Sequence, residues 1–372
     1  MKPVRLRIEA VSVQLGGRPV IKDLSLAVEP GEIISLLGPS GCGKTTTLRA
    51  VAGIIRPDSG EVWFDARRVT QLPSHRRNVG MVFQNYALFP HMSVIENVLF
   101  GLKMHSVPAS ERKTRAVQAL EFLQLAAFAG AYPDELSGGQ QQRAALARTL
   151  VVQPAVLLLD EPLSALDRQL RDVMRTELRA LLKQVGITTV IVTHDQQEAL
   201  TLADRVAVMR EGEIEQIGVP RDIYHHPANR FVASFVGQTN YLSGRVVTAD
   251  GGVMTVSIGG ATVKARGARP LPVGDRVDVA IRPETISLAA EGAGEEPGHN
   301  YLTARLCREV FIGDSIQLHF ELADRTPVVV AAVSVKDSAA GLQPGLQFQL
   351  SWPVERSVAF AADAAGAKPD PR

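Results

Sequence analysis

Apolar residues follow two rhythms along this chain, and the rhythm changes near residue 235. Before that point, short unbroken apolar runs each end on a polar or glycine position. They are EIISLLG (32–38), VGMVFQ (79–84), AVLLLD (155–160) and TTVIVTH (188–194). Unbroken runs of this length suit strands buried on both faces of a largely parallel sheet. The segments between them predict helices over Lys44–Ala52, Ala109–Leu123, Gly139–Val152, Ala165–Gln184 and Gln196–Leu202, with Pro154 as a stop. MREGEIEQIG (209–218) predicts a hairpin about Glu211-Gly212, and the N-terminal MKPVRLRIEAVSVQL alternates.

From Phe235–Thr239 onward the pattern is all-β: short valine-rich strands such as GRVVTADGGVMTVSIGGATVKA separated by turn residues. A faint repeat runs through it. PVGDRVDVAIRPETISL (272–288) and QPGLQFQLSWPVERSVA (343–359) share one order of Gly, alternating strand, Pro and Glu, so that Gly274 matches Gly345 and Glu284 matches Glu355. Duplicated barrel halves are one explanation. EGAGEEPGHN (291–300) reads as a loop. The expected organisation is an α/β domain over 1–235, a small β-rich domain over 236–358 and a disordered tail over 359–372.

Composition narrows the function classes. The chain has 372 residues, room for two or three domains, and its net charge of +1 gives no bias toward nucleic acid or acidic lipid. Two cysteines, Cys42 and Cys307, make no disulfide framework and fit a reducing compartment. The N-terminus lacks the apolar core of a signal peptide. No apolar run reaches the ~18 residues of a spanning helix, so a membrane role is expected to work through a partner.

Within the α/β part, GPSGCGKTT gives Gly38, Pro39, Ser40, Gly41, Cys42, Gly43, Lys44, Thr45 and Thr46, the pattern of a phosphate-binding loop. Its glycines let backbone N–H groups curl around phosphate oxygens. Lys44 is placed to reach the β- and γ-phosphates, Thr45 to offer its hydroxyl to Mg²⁺, and the following helix to aim its positive end at the anion. Strand ends in an open parallel sheet are where ligands sit. Here they deliver Gly38, Gln84, Asp160-Glu161 and His194. For ATP hydrolysis, Asp160 would hold Mg²⁺ directly or through water. Glu161 would orient or deprotonate the attacking water, His194 would contact the γ-phosphate, and Gln84 would touch Mg²⁺ or the water and sense the γ-phosphate. Cys42 occupies a loop position that any small residue would serve. Arg143 and Arg148 are expected to face solvent or neighbouring elements, and His225-His226 lack a third ligand in view.

GPSGCGKTT, VFQNYALFPH, LSGGQQQRAALAR, VLLLDEP, SALD and VTHD, in this order, resemble the nucleotide-binding subunit of an ABC transporter over about residues 4–235. The resemblance implies a P-loop NTPase fold with a helical subdomain at about 85–150, and it implies two such subunits paired head to tail. ATP would lie between the phosphate loop of one and Ser137, Gly138, Gly139 and Gln140 of the other. That explains a second glycine loop in a chain with one phosphate cradle: Ser137 caps the helix and bonds phosphate, while Gly138 and Gly139 admit the backbone closely. FVGQTNYLSGRV with its β-rich extension is similar to the import branch for maltose, polyamines, ferric iron or phosphonates, where the extension is an OB-like regulatory domain. Partners implied are polytopic permease subunits at the cytoplasmic face of the inner membrane and, indirectly, an extracytoplasmic solute-binding protein. Nucleic acid is not expected as a partner. The motif neighbourhoods are nearest the polyamine and ferric-iron groups, with polyamine preferred. One departure is that Leu15 stands where the family has an adenine-stacking aromatic. A soluble ABC ATPase of DNA repair is the alternative of another class. About fifty residues between Gln84 and Ser137, without heptads or cysteine clusters, argue against its coiled-coil or zinc insertions.

Overall fold

The alternating N-terminus forms two long antiparallel strands, β1 (Leu6–Leu15) and β2 (Arg18–Val28), in the computed structural model, which describes residues 3–289, 296–313, 315–332 and 342–362. Next come β3 (Ile33–Leu37), α1 (Lys44–Ala52), β4 (Ser59–Phe64), β5 (Arg67–Arg68) and β6 (Val79–Val82). Three helices follow: α2 (Val94–Met104), α3 (Ala109–Phe122) and α4 (Gly138–Leu150). The first compact unit, residues 1–221, then runs through β7 (Val156–Asp160), α5 (Arg168–Val185), β8 (Thr188–Thr193), α6 (Gln196–Leu202), β9 (Arg205–Arg210) and β10 (Glu213–Gly218).

Two sheets organise this unit. One is antiparallel, in the order β2-β1-β4-β5, and the other runs β10-β9-β3-β8-β7-β6. In the second, β3 pairs in parallel with β8 and β9, and β7 with β6 and β8. The four unbroken apolar runs become β3, β6, β7 and β8, and side-chain alternation explains why they are unbroken. Ile33, Leu157, Leu159 and Ile191 face a core shared with α2, α4 and α5. Ile34, Leu36, Val156, Leu158, Val190 and Val192 face a second core shared with α1 and the antiparallel sheet.

Two helix starts differ from expectation, and caps account for both. Helix α5 begins at Arg168 because Asp167 accepts a hydrogen bond from Leu170 N at 2.9 Å. Residues 164–166 form a turn in which Ser164 N donates to the Glu161 carbonyl. Helix α2 was absent from the sequence expectation. Its signal is the Ser93-Val-Ile-Glu96 capping box, in which Ser93 N donates to Glu96 Oε2 at 2.7 Å and Ser93 Oγ accepts from Glu96 N. Those bonds from Ser93 hold the Glu96 carboxyl below its usual pKa.

The second unit covers residues 222–372. After α7 (Pro220–His225) comes α8 (Arg230–Phe235), and Ala233 of α8 packs with Ala280, Val358 and Phe360. The strands are β11 (Asn240–Asp250), β12 (Val253–Ile258), β13 (Ala261–Gly267), β14 (Arg276–Ile281) and β15 (Ser287–Leu288). They continue as β16 (His299–Phe311), β17 (Ile316–Glu321), β18 (Pro327–Ala332), β19 (Gln347–Pro353) and β20 (Ser357–Ala361). Strands β11-β12-β13-β20-β14 close a barrel, while the second sheet runs β15-β19-β16-β17-β18.

The faint repeat extends over a whole five-stranded unit, and its copies build a closed barrel and a separate sheet rather than two halves of one barrel. Each of β14 and β19 follows a positive-φ glycine, Gly274 or Gly345, and each leads into a 3₁₀ turn, at 283–285 or 354–356. Each then sends its next strand, β15 or β20, to the other repeat's sheet. A second pair of matching segments, NYLSGRV (240–246) and NYLTARL (300–306), opens the two repeats. The paired asparagines do the same work. Asn240 exchanges two hydrogen bonds with the backbone of Val329, at 2.7 and 2.8 Å, and Asn300 exchanges two with the backbone of Lys264, at 2.8 and 2.7 Å.

Ala359, Phe360 and Ala361, expected in the tail, lie in β20, because the barrel needs that strand between β13 and β14. The remainder of the expected tail from 363 onward, and residues 291–295 of the loop expected at 291–300, lie outside the described residues, while His299 and Asn300 of that expected loop already belong to β16.

Candidate functional site

The spatial order β3-β8-β7-β6 sets four strand ends side by side. Because these strands are parallel, their carboxyl ends open on one edge and carry Gly38, His194, Asp160-Glu161 and Gln84 there. The strands far apart in sequence thus bring one set of polar groups together.

The loop after β3 is built by backbone approach. A Cβ at Gly38 would run into the Met209 carbonyl, and Gly43, at φ 103°, has Val20 O only 2.7 Å from where a Cβ would lie. The second residue takes a conformation that side-chain-bearing residues rarely adopt. Lys44, at 7% exposure, donates from Nζ to the carbonyls of Gly38 at 2.6 Å and Pro39 at 3.0 Å. Among the described residues no carboxylate lies within ion-pair distance of it. A buried cation held by two carbonyls, at the N-terminus of α1, suits a polyanionic phosphate chain. Cys42 is buried, its Sγ 3.9 Å from Lys44 Nζ, and burial pushes its thiol pKa up.

Thr45 Oγ1 donates to Asp160 Oδ1 at 3.2 Å, which joins the loop to the end of β7. Burial raises the Asp160 pKa, and the bond from Thr45 opposes that rise. The next residue, Glu161, has a positive φ of 48°, and its N–H donates to the Val192 carbonyl at 2.9 Å. That turn points its carboxylate at two neighbours. Gln84 Nε2 donates to Oε2 at 3.0 Å, and His194 Nδ1 lies 2.9 Å from Oε1. Glu161, Gln84 and His194 therefore form one connected set.

Ser137, Gly138, Gly139 and Gln140 sit at the start of α4. The Ser137 hydroxyl accepts from Gln140 N at 3.4 Å, and Gln140 Oε1 accepts from Ser137 N at 2.8 Å. These bonds stay within their own turn. Leu166 packs beneath Gly138, where a Cβ would crowd its Cδ2, and Met174 packs beneath Gly139.

Several supporting residues had no place in the sequence reading. His194 is braced on both sides: Thr193 Oγ1 donates to Glu198 Oε2 at 2.8 Å and accepts from Asp195 N at 2.9 Å. Arg175 Nη2 donates to Asp195 Oδ2 at 2.8 Å. Glu198 is 2% exposed, and burial raises its pKa to about 7. Asp195 as a helix cap with Glu198 three residues on was the legible signal. Arg143 and Arg148, which the sequence placed facing solvent or neighbouring elements, both meet neighbours: Arg143 donates to Gln124 Oε1 at 2.9 Å and pairs with Glu177. Arg148 turns to the loop after Gln84.

Comparison with known proteins shows the family. The profile of the family described as ABC transporter matches residues 21–164, and the TOBE domain profile matches residues 279–360. The chain is 45% identical to a spermidine/putrescine import ATP-binding protein, PotA, of Rubrobacter xylanophilus, across 94% of this chain and 92% of the relative. A protein of the same name from Roseobacter denitrificans is 47% identical across 85% of this chain and 86% of its own. An Fe(3+) ions import ATP-binding protein, FbpC, of Brucella abortus is 44% identical across 86% and 89%. This chain belongs to the ABC transporter family as an import-type ATP-binding subunit with a C-terminal OB-like domain, an ATPase whose hydrolysis is coupled to transport.

Proposed function

We propose that this ATPase energises uptake of a polyamine of the spermidine or putrescine class, and that its site works as follows. The observation that carries the site reading is the convergence of Lys44, Thr45, Asp160, Glu161, Gln84 and His194 at one sheet edge. Backbone N–H groups of the 38–46 loop other than Pro39, and the Lys44 ammonium, hold the phosphates. Thr45 Oγ1 and Asp160 Oδ1, hard oxygen donors 3.2 Å apart, fit a Mg²⁺ ion, with Gln84 as a further donor. Such an ion supplies charge neutralisation between the phosphates. Glu161 orients or deprotonates the attacking water, and His194, fixed against Glu161, presents its other ring nitrogen to the γ-phosphate.

The second half of each site is supplied by another copy. The bonds of Ser137 and Gln140 stay within the turn that opens α4, which supports a head-to-tail pair in which this turn faces the partner's phosphate loop. Closing of the pair on ATP and reopening after hydrolysis would drive polytopic permease subunits through the helical segment after Gln84. The chain would then be peripheral at the cytoplasmic face of the inner membrane, with a solute-binding protein acting indirectly. No helix among the described residues is long and apolar enough to cross a membrane. Residues 236–358 would form the regulatory module. Leu15, 46% exposed at the end of β1, supports nucleotide binding mainly through phosphates. Marked rejection of GTP beside tight ATP binding would count against that.

The polyamine assignment leans on the names of relatives such as those from Rubrobacter and Roseobacter, and ferric iron is the second reading, from the Brucella relative. Reconstitution with the permease and binding protein separates them. Spermidine or putrescine should stimulate ATP hydrolysis, whereas stimulation by ferric iron alone would overturn the polyamine assignment.

A further inference from the structure

Helix α4 begins at the second glycine loop, and near its other end Arg148 leaves the helix to hold a different loop. Arg148 Nη1 donates to the Ala87 carbonyl at 2.6 Å and Nη2 to the Tyr86 carbonyl at 3.0 Å. Both acceptor residues have positive φ, 59° for Tyr86 and 47° for Ala87. Two consecutive non-glycine residues in that region are costly and persist only where their surroundings hold them. The guanidinium also lies 5.5 Å from the centre of the Phe89 ring. Burial lowers its pKa, yet an arginine keeps its charge. The Tyr86 ring is buried beneath the loop, while Ala87 is exposed. The strained pair begins two residues after Gln84, whose amide reaches Glu161.

We propose that Arg148 is a positioning residue for hydrolysis: by clamping the carbonyls of Tyr86 and Ala87 it sets the reach of Gln84 toward Glu161, and it does so from the helix that carries Ser137. The clamp thereby ties the part of the chain offered to the partner's nucleotide to the part that arranges its own. Arginine suits the task because a planar fork meets two adjacent carbonyls at once, whereas a lysine ammonium is a point donor. The inference rests on reading Gln84 as a site residue. An anchor that only held the fold together would lower stability and leave the kinetics of the folded fraction unchanged. The clamp makes a different prediction, because glycine adopts positive φ without strain. Removing the need for the clamp at residue 87 should restore what its loss removes.

The test is steady-state ATP hydrolysis by the full-length chain, with thermal unfolding recorded beside it. Arg148→Lys should lower kcat about tenfold with KM held within about twofold, the pattern of a lost transition-state arrangement. Ala87→Gly added to Arg148→Lys should recover at least about threefold of that loss. Ala87→Val, which keeps Arg148 and puts a β-branched side chain on left-handed backbone at an exposed site, should lower kcat with KM unchanged. It serves where Arg148→Lys fails to fold. Wild-type kcat in Arg148→Lys or in Ala87→Val, or no recovery in the double variant, overturns the clamp. Gln84→Ala separates the two readings. Wild-type kcat there sinks the role of Gln84, whereas impairment there beside an unimpaired Arg148→Lys sinks the clamp alone.

Discussion

The carboxylate of Glu161 stands 2.9 Å from Nδ1 of His194, across a strand boundary that places the two residues on neighbouring loops. The second oxygen of that carboxylate is held by Gln84. One acid is therefore fixed by two side chains from two other strand ends, the arrangement expected of a group that must present a lone pair to water in a single direction.

Replacing Glu161 with Gln keeps the shape and removes the proposed base. ATP binding should persist and hydrolysis should fall by about a hundredfold or more. Measured single-turnover hydrolysis near the wild-type rate would place the base elsewhere.

Ser137→Arg puts a bulky cation at the turn that opens α4. Binding of ATP to the monomer should be little changed, while hydrolysis that depends on dimers should be abolished. Lys44→Ala gives the opposite pattern, because it removes the buried cation of the loop itself: nucleotide affinity should fall at least about tenfold. Titration with a fluorescent ATP analogue distinguishes the two. Collapse of monomer binding in Ser137→Arg would assign this turn to its own chain's site.

Glu198 makes stability depend on pH. Its carboxyl is raised from 4.5 to about 7 in the folded chain, first by burial. Asp195 adds to the rise, while Thr193, Arg175 and Arg171 oppose it. A raised carboxyl is protonated in both states below about pH 4.5, where its contribution is fully present. Between about 4.5 and 7 the unfolded chain ionises first, so stability is lost as pH rises through that window. Glu198→Gln should flatten the fall in melting temperature between pH 5 and 8, by an amount on the order of 3 kcal/mol at most. An unchanged pH profile of unfolding would show that the side chain titrates normally.

In the second unit, Asn300→Ala strands the N–H and C=O of Lys264, which the asparagine amide serves at 2.7 and 2.8 Å. Loss of two partly buried hydrogen bonds to backbone should destabilise that unit by about 1–3 kcal/mol. Asn240→Ala should cost a similar amount through Val329. Calorimetry that found one substitution costly and the other neutral would break the equivalence of the two repeats.

Local chemistry made much of this protein readable in one dimension. The glycine loop at 38–46 and helix α1 follow from motif and periodicity, because the loop needs the left-handed backbone that Gly41 and Gly43 supply. The buried parallel strands were equally legible, since a strand covered on both faces has no polar face to interrupt its apolar run. Helix α2 went unseen because apolar residues lie all around it, so Val94, Val98 and Leu102 at helical spacing do not stand out from Ile95, Leu99 and Phe100. Its identity rests on the cap at Ser93 and on Asn97, whose amide donates to the carbonyls of Phe89, Met92 and Ser93.

The sequence by itself determined the residue types at each strand end, the two glycine loops and the change to an all-β pattern, because each depends on neighbours a few positions apart. Only the tertiary structure decided that Gln84 and His194 grip one carboxylate and that Arg148 turns from its helix to the carbonyls of residues 86 and 87. It also decided that the two β repeats exchange their last strands. These are relationships between segments brought together by sheet order and packing, and hydrophobic periodicity carries no information about which strand lies beside which.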